Sequence, residues 1–176
     1  MITSELRERI LKIKVVILDI DGVLTDGRII LGNYGDELKF FDVQDGLGLV
    51  LLRQAGLKTV IISAKKSRIN HRRAKDMKIA KIFQNAHDKL KTCEKVLKMF
   101  KVSAEEACFI GDDLLDLPAM SRCGFAAAVR NAVPELKARA HYVTEKTGGR
   151  GAVREVADMI LKTQNKWDET TKKYFL

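Results

Sequence analysis

Residues 14–27 read Lys14-Val-Val-Ile-Leu-Asp19-Ile-Asp21-Gly-Val-Leu-Thr-Asp-Gly27. Residues 15–20 form a short apolar, β-branched run, the pattern of a strand buried on both faces. It ends in Asp19 and Asp21, followed at once by Gly22. Side chains alternate along a strand, so the two aspartates are expected to point the same way. At the carboxyl edge of a parallel sheet, that direction is the ligand crevice. Two carboxylates so close repel, and a divalent cation such as Mg²⁺, with its preference for oxygen ligands, relieves the repulsion. Gly22 lets the backbone turn sharply beside a ligand. An isolated Asp-x-Asp-Gly would fit a polar turn equally well, so the rest of the chain must supply partners.

Working outward, strands and helices alternate. A leading helix is expected over residues 4–12 with Ser4 as its N-cap, and a β-hairpin over about 28–43 around the turn Gly32-Asn-Tyr-Gly35. Asp45-Gly46 is expected to open a helix that runs to Ala55 and is closed by Gly56. Residues 58–63 form a buried strand ending in Ser63, and a basic helix runs from Ser67 to Met77. A short strand at 81–83 precedes a helix capped by Asp88 that carries Lys89 in its first turn. A buried strand at 107–110 ends in Gly111-Asp112-Asp113, and a helix follows from Leu114. The strand 125–129, a helix from Pro134 to Ala140, a strand at 141–143 and a helix over 152–162 complete the pattern. Residues 163–176 are expected to fray. The alternation predicts an α/β fold, a doubly wound parallel sheet in one domain spanning residues 1–176.

Composition agrees with a globular chain: 46% of residues are hydrophobic, 31% are charged and two are proline. No apolar run is long enough for a membrane helix, and the N-terminus has no signal-peptide core. Cys93, Cys108 and Cys123 follow no metal spacing and read as buried thiols of a cytoplasmic protein. His71, His87 and His141 form no ligand pattern. The net charge of +9 is concentrated around residues 65–78. That run lacks the aromatic residues that stack on bases, so a nucleic-acid partner is not expected.

The polar residues at successive element ends suit phosphoryl transfer. That reaction needs a nucleophile, a cation, donors for the equatorial oxygens and a proton manager for the leaving oxygen. Asp19, Asp21, Ser63, Lys89, Asp112, Asp113 and Asp116 supply these parts, all from one sheet edge. A response-regulator receiver domain uses similar residue types, but its acidic pair comes before the hydroxyl and the lysine. Here Asp112 and Asp113 come late.

This order, D-x-D, then S/T, then K, then G-D-D, resembles the haloacid-dehalogenase superfamily. Phe41-Asp-Val-Gln-Asp-Gly46, Asp88-Lys-Leu90, Tyr142-Val-Thr144 and Gly148-Gly-Arg-Gly-Ala-Val-Arg-Glu155 narrow the resemblance to the family of 3-deoxy-D-manno-octulosonate 8-phosphate phosphatases. It covers residues 13–162. Members are small, capless, Mg²⁺-dependent tetramers of lipopolysaccharide sugar synthesis, in which a neighbouring subunit helps cover each site.

The resemblance implies Asp19 as nucleophile and Asp21 as acid and base, with Ser63 and Lys89 on the phosphoryl oxygens. It implies Mg²⁺ on Asp19, the Asp21 carbonyl and Asp112, with Asp113 and Asp116 orienting them. The substrate, a small sugar acid phosphate, is expected to meet Asp42, Asp45 and Gly46, together with the cations Lys65, Arg73 and Arg150. The hairpin, with Phe40 and Phe41, is the expected element of a homotetramer. Ser63-Ala64-Lys65 replaces the usual T/S-G-R, and Val50 stands where relatives often carry a basic residue, which leaves the exact sugar acid open. A nine-carbon keto-sugar acid 9-phosphate is the competing substrate, but its sister family usually places Glu where this chain has Lys65 and Arg150. Two other readings stand beside these. One is a non-catalytic binding module on the same fold; the other, resting on the net charge of +9, is an RNA or nucleotide phosphatase.

Overall fold

The computed structural model describes residues 2–175. Its chain order is α1 (Ser4–Leu11), β1 (Val15–Leu18), β2 (Ile30–Leu31), β3 (Glu37–Leu38), α2 (Val43–Gln54), β4 (Lys58–Ile62), α3 (Arg68–Asp76), β5 (Lys81–Phe83) and α4 (Lys89–Phe100). It continues with β6 (Ala107–Gly111), α5 (Leu117–Arg122), β7 (Phe125–Ala128), α6 (Pro134–Lys137), β8 (Tyr142–Val143), α7 (Ala152–Thr163) and α8 (Trp167–Thr171). Six strands form one parallel sheet in the order β5-β4-β1-β6-β7-β8. The chain runs outward from β1 to β5, then crosses back to β6 and runs out the other way. With crossovers of the usual right hand, that reversal of winding places helices on both faces. α1, α2, α7 and α8 pack together as one group, and α4 packs with α5.

β1, β6 and β7 are buried along their whole length, as runs of Val, Ile, Phe and Ala at the centre of a covered sheet must be. The wide reversal beside β1 opens a crevice at the carboxyl ends of β1, β4 and β6. Among the described residues, no helix is long and apolar enough to cross a membrane. All three cysteines are free and buried.

Several local expectations are corrected. Thr3, not Ser4, caps α1, because its hydroxyl accepts from Leu6 N at 3.2 Å. α2 begins at Val43 rather than at Asp45: Asp42 caps it, accepting from Gln44 N at 2.7 Å. The hairpin pairs only Ile30–Leu31 with Glu37–Leu38. α6 stops at Lys137. The tail expected to fray folds into α8 and a further 3₁₀ turn, with Thr171 buried and Trp167 packed on the core.

Candidate active site

β1 ends at Leu18, one residue before Asp19, although Asp19 N still donates to Ile110 O at 3.2 Å. Beyond it the chain wraps round one carbonyl: the N–H groups of Val23, Leu24 and Thr25 all point at Ile20 O, at 3.2, 2.9 and 3.1 Å. This tight turn, rather than strand alternation, brings both Asp19 and Asp21 to the crevice. Gly22 takes a positive φ of 92°, and a β-carbon there would lie 1.9 Å from Asp112 Oδ2. The glycine is thus the room into which Asp112 fits.

Behind the turn, Gly148 packs so closely that a β-carbon would lie 1.7 Å from Gly22 O. Asn131 braces the same place, accepting from Gly148 N at 2.7 Å and donating to Gly22 O at 3.4 Å. No sequence signal marked Asn131.

The crevice has a volume of about 230 Å³ and is lined by Asp19, Asp21, Ser63, Lys65, Lys89, Asp112, Asp113 and Asp116, with Ile29 and Leu115 at its rim. Lys89, buried at the start of α4, donates to Asp19 Oδ2 at 2.8 Å and to Asp116 Oδ1 at 2.5 Å. The other oxygen of Asp116 accepts from Asp112 N at 3.0 Å and Asp113 N at 3.4 Å. Asp116 therefore ties the loop after β6 to Lys89. Asp113, on the wall of the crevice, also caps the 3₁₀ turn that follows by accepting from Leu114 N at 2.7 Å. The Ser63 hydroxyl donates to Lys65 O at 3.2 Å.

Asp19, Asp112 and Asp116 bring carboxylate oxygens within 4.8 Å of one another. Oδ1 of Asp19 and Oδ1 of Asp112 are buried and have no hydrogen-bond partner among the described residues. Burial, and then the charge of Asp116, push the Asp19 carboxyl up to about 7 against the pull of Lys89. Burial, Asp116 and Asp19 push Asp112 up to about 8. Lys89 is raised as well: burial opposes its charge, but Asp19 and Asp116 outweigh that. Buried carboxylate oxygens with no donor are what a hard divalent cation satisfies, so the donor set fits Mg²⁺.

The other expected contacts divide. Lys65 lines the crevice, with its ammonium 2.7 Å from Glu37 Oε1. Asp42, Gly46 and Arg73 meet each other outside it. Arg73 Nη2 donates to Asp42 O at 3.2 Å, its guanidinium lies over the Phe41 ring at 5.5 Å, and Gly46 leaves it space. Asp45 is fully buried and caps α7 from α2, accepting from Gly151 N at 3.2 Å and Arg154 N at 2.8 Å. Arg150 is exposed and is not among the residues that line the crevice of its own chain.

Two flap residues were missed. Lys39 has a side chain with 0% exposure and donates to Asp21 Oδ1 at 2.5 Å, and Glu37 stands beside it. Their i, i+2 spacing in an expected strand was the available signal.

The family model for haloacid dehalogenase-like hydrolases matches residues 51–166, and this chain belongs to that family. Within it, the chain is 39% identical over 170 residues to the 3-deoxy-D-manno-octulosonate 8-phosphate phosphatase of Yersinia pestis, covering 97% of this chain and 91% of the relative. The crystal structure of the same-named phosphatase from Moraxella catarrhalis, in complex with magnesium ion, phosphate ion and KDO, superposes with a TM-score of 0.95. The two are 41% identical, over 98% of this chain and 99% of that one. A cobalt-bound phosphatase from Haemophilus influenzae superposes with a TM-score of 0.89 at 38% identity, over 95% of this chain and 98% of that one.

Proposed function

We propose that the chain is a Mg²⁺-dependent phosphomonoesterase that hydrolyses 3-deoxy-D-manno-octulosonate 8-phosphate to the free sugar acid and phosphate. The observation that carries this reading is the buried Asp19–Lys89–Asp116 group beside Asp112, with two carboxylate oxygens unpartnered among the described residues. It stands in a chain 39% identical to a phosphatase of that name along nearly its whole length.

In this mechanism Asp19 attacks phosphorus with one carboxylate oxygen while Lys89 steadies the other. The P–O bond to the sugar breaks as the new O–P bond forms, and Asp21 gives its proton to the departing alkoxide. Asp21 then takes a proton from water, which attacks the aspartyl-phosphate, releases phosphate and restores Asp19. Ser63 and Lys89 hold the phosphoryl oxygens. Asp19, the Asp21 carbonyl and Asp112 would hold Mg²⁺, which would supply positive charge for those oxygens, and Asp113 and Asp116 orient the loop that presents Asp112.

Lys65 is the cation in the crevice suited to the substrate carboxylate, and Arg150 serves the crevice of an adjoining copy. Assembly into a homotetramer through the flap is supported by its exposed apolar Leu31, Tyr34, Leu38 and Phe40. Three free, buried thiols suit a cytoplasmic enzyme of lipopolysaccharide sugar synthesis.

The test compares kcat/KM for the eight-carbon and nine-carbon sugar acid phosphates and a neutral hexose phosphate, with and without Mg²⁺. Preference for the eight-carbon acid, lost in EDTA and in Asp19→Asn, supports the reading. Undiminished turnover in Asp19→Asn overturns it.

A further inference from the structure

The side chain of Lys39 is closed to solvent, although it belongs to a two-stranded flap that otherwise exposes apolar side chains. Holding a lysine side chain in one buried geometry costs rotamer freedom as well as desolvation, so its partners must offset both. The partners are Asp21 Oδ1 at 2.5 Å and Glu37 Oε1 at 3.7 Å. Lys65 reaches the same Glu37 oxygen at 2.7 Å. A chain of alternating charges, Asp21–Lys39–Glu37–Lys65, thus runs from the turn after β1, through the flap, to the loop after β4. Burial raises the proton affinity of Glu37. Hydrogen bonds from Lys65 and Ser67 and the charge of Lys39 outweigh this and hold its carboxyl below the usual value, so it stays an anion between two cations.

Among the described residues, Lys39 is the hydrogen-bond partner of the Asp21 carboxyl. With Oδ1 engaged, Oδ2 is the oxygen left to carry a proton into the crevice.

We propose that Lys39 is the positioning residue for Asp21: it fixes the carboxyl in the orientation from which Oδ2 protonates the leaving oxygen. The flap is then part of the proton-transfer apparatus and more than a cover. The inference rests on the reading of Asp21 as acid and base. In the step itself the proton passes from Asp21 Oδ2 to the alkoxide as the P–O bond breaks, and Lys39 keeps its own proton throughout.

The experiment exploits the leaving group. A sugar phosphate departs as an alkoxide and needs the proton, whereas p-nitrophenyl phosphate departs as a stable phenolate and does not. kcat/KM reports steps up to the departure of the leaving group, so the later hydrolysis of the aspartyl-phosphate does not enter. General acid catalysis contributes about 10²–10⁴, so Lys39→Met is expected to lower kcat/KM about thirtyfold on the sugar phosphate and less than about threefold on the aryl ester. Glu37→Gln, which loosens Lys39 without removing it, shifts the two esters apart in the same direction by a smaller factor. Circular dichroism and light scattering on each variant establish the same fold and assembly as in the parent. Equal losses on both esters, or no loss on either, overturn the proposal. Failure of the parent protein to turn over either ester would instead sink the phosphatase reading on which it rests.

Discussion

Lys89 Nζ lies 2.8 Å from Asp19 Oδ2, joining the first turn of α4 to the end of β1 in a position closed to solvent. Asp116 shares the same ammonium at 2.5 Å, so one buried cation faces two buried acids. The group is underneutralised until a further cation arrives.

Removal of Lys89 leaves both acids uncompensated. Breaking a buried ion pair costs about 3–5 kcal/mol, and Lys89→Met is expected to lose that much in urea unfolding at pH 8 in EDTA. Mg²⁺ in excess should recover part of the loss, because it supplies the missing charge. A variant as stable as the parent in EDTA would contradict the buried geometry.

The same imbalance sets a pH dependence. Burial, with repulsion from neighbouring carboxylates, pushes Asp19 and Asp112 up to about 7 and about 8 in the folded chain, against 3.8 for an ordinary aspartate. A carboxyl that keeps its proton longer when folded favours the folded state at low pH, and that contribution disappears as pH rises past the folded value. The metal-free protein is therefore expected to lose thermal stability between about pH 4 and pH 8 from this source. Mg²⁺ binding, which must displace those protons, should tighten over the upper part of the range. Calorimetric melting with EDTA and with Mg²⁺ at pH 6 and pH 8 checks both directions.

Gly22→Ala tests the close approach of Asp112. The β-carbon would sit 1.9 Å from Asp112 Oδ2 on a backbone of φ 92°, so the carboxylate must move. Loss of one charged ligand contact at about 1.5–3 kcal/mol corresponds to at least tenfold weaker Mg²⁺ binding by titration calorimetry. Unchanged affinity would mean that Asp112 is not a ligand.

Asp45 makes the opposite prediction. It caps α7 from inside α2, so Asp45→Ala should cost about 1–3 kcal/mol in unfolding. KM for the sugar phosphate should stay within about twofold of the parent, a 0.4 kcal/mol difference. A large KM effect with unchanged stability would return Asp45 to the substrate.

Much of this was legible from residue order. Buried parallel strands announce themselves as continuous apolar runs, and each of β1, β4 and β6 is followed at once by a polar residue that lines the crevice: Asp19, Ser63 and Asp112. Contacts across the fold were not legible. Asp45 looks like a helix opener because capping residues are recognised by local position, yet its N–H partners are at residues 151 and 154. Asn131 reaches Gly22 and Gly148 by tertiary proximity alone. α8 was missed because its short sequence carries little helical periodicity; its order comes from packing against α2 and α7.

The sheet order also governs when the site can exist during synthesis. β1, bearing Asp19, leaves the ribosome early, but its two neighbours β4 and β6 begin only at Lys58 and Ala107. Closing those long loops precedes any pairing of β1, which makes such parallel sheets slow to form. A nascent chain that stops before residue 112 holds Asp19 without Asp112 or Asp116, and so lacks the carboxylate cluster of the complete fold. Metal capture is therefore coupled to the pairing of β6 with β1, which brings Asp112 beside Asp19.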